Sequence, residues 1–92
     1  MKVNFYATLR PIIGQKTVEL DTKGEMTAQQ LIDKLIAEHP AIGPELIDEN
    51  GKFYDHMKFF INGREVVYLE DQFEYVLQPD DKVDIFPPVG GG

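Results

Sequence analysis

The sequence predicts an α+β domain: a mixed sheet of about five strands with one main helix packed on one face. Two observations carry that prediction. Apolar and polar residues alternate with period two near both ends of the chain and again around Asn62-Gly63. A single stretch, 27–39, switches to helical spacing. At 92 residues, the chain has enough surface to bury one modest core.

The opening "KVNFYATL" places Val3, Phe5, Ala7 and Leu9 on one face and Asn4, Tyr6 and Thr8 on the other, the pattern of a half-buried strand. Arg10-Pro11 interrupts it and Gly14 marks a turn before "QKTVEL", a second strand expected to pair antiparallel with the first. Thr27 then reads as an N-cap with Gln30 three residues on, a capping box. Leu31, Ile32, Leu35 and Ile36 form one apolar stripe, and Pro40 stops the helix by His39. A helical turn is expected at 44–47, then a polar loop through Asn50-Gly51. "MKFFINGREVVYL" carries the strongest hairpin signal, two short strands about Asn62-Gly63. "EDQFEYVLQPDD" reads as a connection ending in a Pro79-Asp80-Asp81 turn, and "KVDIF" as a last strand with Val83 and Ile85 inward, Lys82 and Asp84 outward. In the β-grasp arrangement of this order the last strand lies centrally beside the first. The expected body is therefore 1–86, followed by an extended tail, 87–92.

Composition removes several function classes. Without cysteine there is no disulfide framework, thiolate nucleophile or sulfur-ligated metal. His39 and His56 are the only histidines, so no metal site is expected. A net charge of −7 opposes nucleic-acid binding and suits a basic protein partner or plain solubility. The N-terminus lacks the apolar run of a secretory signal and no stretch is long enough to span a membrane, so the cytoplasm is the default compartment. Asp48, Glu49 and Asn50 lack the spacing of a calcium loop and read as loop solvation.

The chain closes on "FPPVGGG". Pro87-Pro88 favours an extended polyproline spacer, and Gly90, Gly91 and Gly92 carry no side chains, so a narrow channel can close around their backbone. A terminal carboxylate is ionised at neutral pH and can attack an activated phosphate, and the missing Cβ leaves the resulting acyl carbon open to a second nucleophile. The competing reading is an inert glycine end.

"DDKVDIFPPVGGG" resembles the C-terminal signature of the ubiquitin-like sulfur carriers, and "MKVNFYATLRPIIG" and "FINGREV" resemble the small subunit of molybdopterin synthase in kind and order. The resemblance covers most of the chain. Those carriers end in two glycines after a variable residue, a place that Gly90 fills here, and the 48–58 segment is longer than in their shortest members. The resemblance implies a β-grasp fold and a terminal glycine, Gly92 after Gly91, that a ubiquitin-activating-like enzyme adenylates with ATP. Sulfur then replaces AMP, and the large synthase subunit uses the thiocarboxylate to build the molybdopterin dithiolene. The chain would be a co-substrate rather than an autonomous enzyme, with no bound cofactor. A sulfur carrier for thiamine or tRNA thiolation and a ubiquitin-like protein modifier remain alternatives, since all share the chemistry as far as the adenylate.

Alternation also predicts a docking surface. With the helix on one face, Tyr6, Phe60 and Phe86 fall on the other, on strands that lie side by side in a β-grasp sheet. Clustered exposed aromatics mark protein contacts. These three, with Pro87, Pro88, Val89 and Gly90 leading to the terminus, are the expected partner-binding residues. Arg10 and Arg64 are expected to add charge pairs around them. The alternative is that the 48–58 loop folds over the aromatics as a second small core.

Overall fold

The computed structural model describes residues 1–21 and 24–88. Strand β1 (Lys2–Phe5) is flanked by β2 (Thr17–Glu19), antiparallel, and by the last strand, β7 (Val83–Phe86), parallel. Strand β4 (Lys58–Ile61) runs antiparallel to β7 and carries β5 (Arg64–Glu65) at the sheet edge. The order β2-β1-β7-β4-β5 places the C-terminal strand at the centre, as the β-grasp arrangement requires.

Helix α2 (Ala28–Glu38) forms where the period changes. Its capping box is complete: the Thr27 hydroxyl accepts from the Gln30 amide at 3.1 Å, and the Thr27 amide donates to Gln30 Oε1 at 2.9 Å. The helix ends at His39, one residue before Pro40. Ala28, Leu31, Ile32 and Leu35 are fully buried against the sheet residues Val3, Phe5, Phe59, Val83 and Ile85. Each of the larger side chains contributes about 1.5–3 kcal/mol by leaving water.

The Asn62-Gly63 turn has both residues at positive φ, 53° and 83°, the backbone that a tight two-residue hairpin needs. It is pinned from outside. Asn62 Nδ2 donates to Asp81 Oδ1 at 2.8 Å, and the Lys82 amide donates to Asn62 Oδ1 at 2.9 Å. Asp81 Oδ2 accepts from the Tyr75 hydroxyl and the Gln78 amide. One carboxylate thus ties the β4–β5 hairpin to the segment that launches β7.

Two expectations need correction. The first strand ends at Phe5, not Leu9. Ala7 takes φ 50°, and Leu9–Ile13 forms a short helix, α1, closed by Gly14 at φ 86°. Proline is tolerated in a first helical turn, so Pro11 sits inside α1 instead of breaking a strand. Leu9 is fully buried as alternation required, but it reaches the core from a helix. Second, the connection after β5 is more structured than expected. Residues 66–68 and 72–74 form single 3₁₀ turns, and β6 (Val76–Leu77) pairs antiparallel with β3 (Met26–Thr27) beside the start of α2. Beyond β7, Pro87 is buried and Pro88 is exposed.

After α2 come a 3₁₀ turn (Pro40–Ile42) and α3 (Gly43–Leu46), close to the expected helical turn. The polar loop that follows is organised by Asp48, whose Oδ1 accepts from the Asn50 and Lys52 amides. Beyond it, Phe53 packs edge-on against Phe59 at 6.0 Å and tilted against Phe73 at 5.3 Å. Phe59 faces the helix, so the 48–58 segment enlarges the core on that side and does not cover the opposite face of the sheet. No described helix is long and apolar enough to cross a membrane.

Candidate functional site

The face of the sheet away from α2 follows from register. Asn4 is opposite Thr17 and Asp84, Phe60 is opposite Asp84 and Glu65, and Lys58 is opposite Phe86. Across it the three expected aromatics meet. Tyr6 stacks on Phe86 with ring centroids 4.2 Å apart and planes 13° from parallel, and Phe60 meets Phe86 edge-on at 5.3 Å. All three are half-buried, each leaving part of its ring open to solvent. Phe86 is the hub, and it is also the last strand residue before Pro87 and Pro88. Val89, Gly90, Gly91 and Gly92, the rest of the predicted site, lie outside the described residues.

Arg10 lies at the cluster through the ring and backbone of its own neighbours, where a charge pair was expected. Its Nε donates to the Phe5 carbonyl at 2.8 Å and its guanidinium lies over the Tyr6 ring, 5.2 Å from the centroid. Arg64 stands apart: its register partner is Ile61, a core-facing residue. The cations near the cluster are instead Arg10, Lys58 and Lys82. Lys58 pairs with Glu65 at 3.5 Å, and Lys82 approaches Asp84 at 4.0 Å. The whole-chain charge of −7 therefore misdescribes this face, where Arg10, Lys58 and Lys82 stand beside Glu65 and Asp84.

One residue here escaped the reading of the sequence. Asp84 points outward, as alternation predicted, yet only 6% of it is exposed. Its Oδ1 accepts from the Tyr6 hydroxyl at 2.7 Å and from Asn4 Nδ2 at 3.1 Å, while Thr17 donates to Asn4 Oδ1 at 2.8 Å. The chain of bonds runs across three strands and ends on the aromatic that stacks on Phe86. An acidic residue between the inward Val83 and Ile85 was the only available signal, and outward aspartates are ordinarily solvated. No buried side-chain nitrogen or oxygen among the described residues lacks a hydrogen-bond partner.

The hydrogen bond to Asp84 raises the Tyr6 pKa above the ordinary tyrosine value, with burial and the Asp84 charge acting in the same direction. Tyr75 is raised too, by burial first and then by its bond to Asp81. Both groups have folded pKa values above their unfolded ones. Their contribution to stability is thus fully present below about pH 10 and is lost as pH rises through the folded values. Melting temperature should hold through neutral pH and fall above about pH 10. A Tyr6→Phe, Tyr75→Phe double variant should lose much of that alkaline slope, and an unchanged slope would exclude both tyrosines as its source.

No group of three or more histidines, aspartates or glutamates capable of holding a metal ion occurs among the described residues. What the described residues bring together here is a half-buried aromatic cluster beside the strand that leads to Pro87 and Pro88.

The model of the ThiS family matches residues 3–92. The chain belongs to the ThiS family. These are ubiquitin-like sulfur carriers and modifiers, the group that the terminal motif resembles. Among curated proteins, small archaeal modifier protein 3 of Haloferax volcanii is 36% identical over 92 residues, covering 100% of this chain and 98% of that one. The crystal structure of SAMP1 from Haloferax volcanii superposes with a TM-score of 0.87 at 28% identity, covering 99% of this chain and 97% of that one. A Pyrococcus furiosus protein provisionally described as molybdopterin converting factor, subunit 1, gives a TM-score of 0.74 at 25% identity over 96% and 95% of the two chains. The ThiS-family chain is thus similar over its full length both to proteins described as modifiers and to a protein described as a molybdopterin converting factor subunit.

Proposed function

We propose that this ThiS-family chain is a carrier whose working atom is the C-terminal carboxyl carbon of Gly92. In this reading a partner enzyme binds the Tyr6–Phe60–Phe86 face and admits the chain end to its ATP. The Gly92 carboxylate attacks the α-phosphate, pyrophosphate leaves, and an acyl adenylate forms. A second nucleophile then attacks the acyl carbon and expels AMP. The observation that supports this most directly is the placement of Phe86, which is at once the centre of the aromatic cluster and the root of the tail. A surface bound there carries the chain end to a fixed neighbourhood.

Two destinations for the acyl group follow. If the nucleophile is a lysine amine of a target protein, the product is an isopeptide and the chain is a modifier. The full-length identity to small archaeal modifier protein 3 favours this reading. If it is a sulfur donor, the product is a thiocarboxylate, and the large subunit of molybdopterin synthase becomes the acceptor. The similarity to the Pyrococcus furiosus protein favours that one.

Incubation with an activating enzyme, ATP and sulfide should replace one oxygen of the chain by sulfur in the intact mass if the second destination is used. In cell extract with ATP, conjugates that survive reducing denaturation and carry Gly92 on a lysine should appear if the first is used. Absence of both products with an enzyme that consumes ATP on this chain would refute the proposal.

A further inference from the structure

The open face carries a polar device whose placement needs explaining. A sheet gains little from a nearly buried carboxylate on its outer surface, because taking a charge from water is costly unless it is paired and hydrogen-bonded. Asp84 is so paired, by Tyr6, Asn4 and, at 4.0 Å, Lys82. Tyr6 lies one residue beyond the end of β1 and one before Ala7 at φ 50°, so the strand ladder does not fix its ring. Its ring is held by side chains instead: Asp84 at the hydroxyl, Phe86 stacked at 4.2 Å, and the Arg10 guanidinium at 5.2 Å. Asp84 and Phe86 stand two residues apart on β7, facing the same way, so the carboxylate and the ring together grip Tyr6.

We propose that Asp84 is a positioning residue for the transfer of the C-terminal carboxyl group: by holding Tyr6 on Phe86 it sets the direction in which the chain leaves the sheet. This rests on the reading of Gly92 as the reacting end. The bond between a neutral phenol and a charged carboxylate is of the stronger kind, and here it acts beside the strand that leads to Pro87 and Pro88. A chain end misdirected by about 1 Å at the reacting atom loses on the order of a hundredfold in rate. The body, meanwhile, still docks through its aromatic rings.

The test compares Asp84→Ala, Asp84→Asn and the unaltered chain as substrates of the activating enzyme in ATP–pyrophosphate exchange. Asp84→Ala should lower kcat about tenfold or more with KM for the chain within about twofold. Asp84→Asn, which still offers an oxygen to Tyr6, should recover most of the loss. A purely structural role reduces the folded fraction, which raises apparent KM and leaves kcat at saturating chain unchanged. That pattern would overturn the proposal. A second readout needs no enzyme: residual dipolar couplings of the Val89 and Gly90 amides in aligned medium. They should be finite in the unaltered chain and change in both Asp84→Ala and Tyr6→Phe. Couplings that are averaged to zero, or identical in all three proteins, would overturn it as well. Failure of the unaltered chain to be activated would instead count against the proposed function, while the couplings still decide the role of Asp84.

Discussion

Removing Gly91 and Gly92 should abolish ATP-dependent activation of the chain and leave its melting temperature unchanged. The truncated chain still ends in a glycine carboxylate, at Gly90, so the reacting group is chemically the same. What changes is its reach. Two extended residues span roughly 7 Å, and effective catalysis requires reacting atoms placed to within a fraction of that distance. Activation should therefore fall below detection rather than merely slow. Stability should not follow it, because every buried apolar residue among the described ones lies between Val3 and Pro87. Pyrophosphate exchange and thermal melting of the same preparation check both halves of the expectation. Retained activation would contradict the assignment of Gly92 as the residue whose reach the reaction needs.

The aromatic face should give the next largest effect. Phe86→Lys removes the ring that touches both Tyr6 and Phe60, and places a charge where a partner's apolar surface would rest. Central aromatic anchors of protein interfaces are worth about 2–4 kcal/mol, so affinity for the activating enzyme should fall roughly 30- to 1000-fold. Phe60→Lys, which loses one ring contact instead of two, should fall by less. The folded state should tolerate both, since the rings lie on the face opposite α2, and losing an aromatic pair costs about 0.5–1.5 kcal/mol beyond area burial. Val76→Lys is the control. Val76 is also exposed, at 37%, but sits in the separate β3–β6 pair. Titration calorimetry with the activating enzyme would measure all three. Equal affinities across the set would remove the aromatic face from the account.

Much of this architecture could be read from local chemistry. Thr27 and Gln30 announce a helix start because the reciprocal bonds they make involve only neighbours, and Asn62-Gly63 announces a hairpin because few other residues accept positive φ twice in succession. The aromatic cluster was legible because alternation assigns faces and the element order assigns neighbours. Legibility ended where long-range contacts overrode local pattern. Leu9 satisfies period two from within a helix, because the turn at Ala7 and the tolerance of Pro11 in a first helical turn are settled by packing, not by spacing. Val76-Leu77 looks like loop because a two-residue strand has no period of its own, and it pairs only because Met26-Thr27 is nearby in space. Asp84 and Asp81 were read as a solvated strand residue and a turn residue. Their partners, Tyr6 and Asn62, lie 78 and 19 positions away, beyond the reach of any local motif.

The same limit applies to net charge. A total of −7 describes the molecule as a whole, whereas recognition responds to the field at one face. Around the aromatic cluster Arg10, Lys58 and Lys82 offset Glu65 and Asp84, so apolar contact and orientation, not bulk charge, should decide which partner binds.

The most direct test of a reactive chain end is to trap it before any acceptor is chosen. The chain is incubated with its activating enzyme, ATP and hydroxylamine, and tandem mass spectrometry then locates the product. The account predicts a hydroxamate on the carboxyl carbon of Gly92, dependent on ATP and absent from the chain lacking Gly91 and Gly92. A hydroxamate found only on aspartate or glutamate side chains, or a Gly92 that stays a carboxylate while the enzyme turns over ATP, would contradict it.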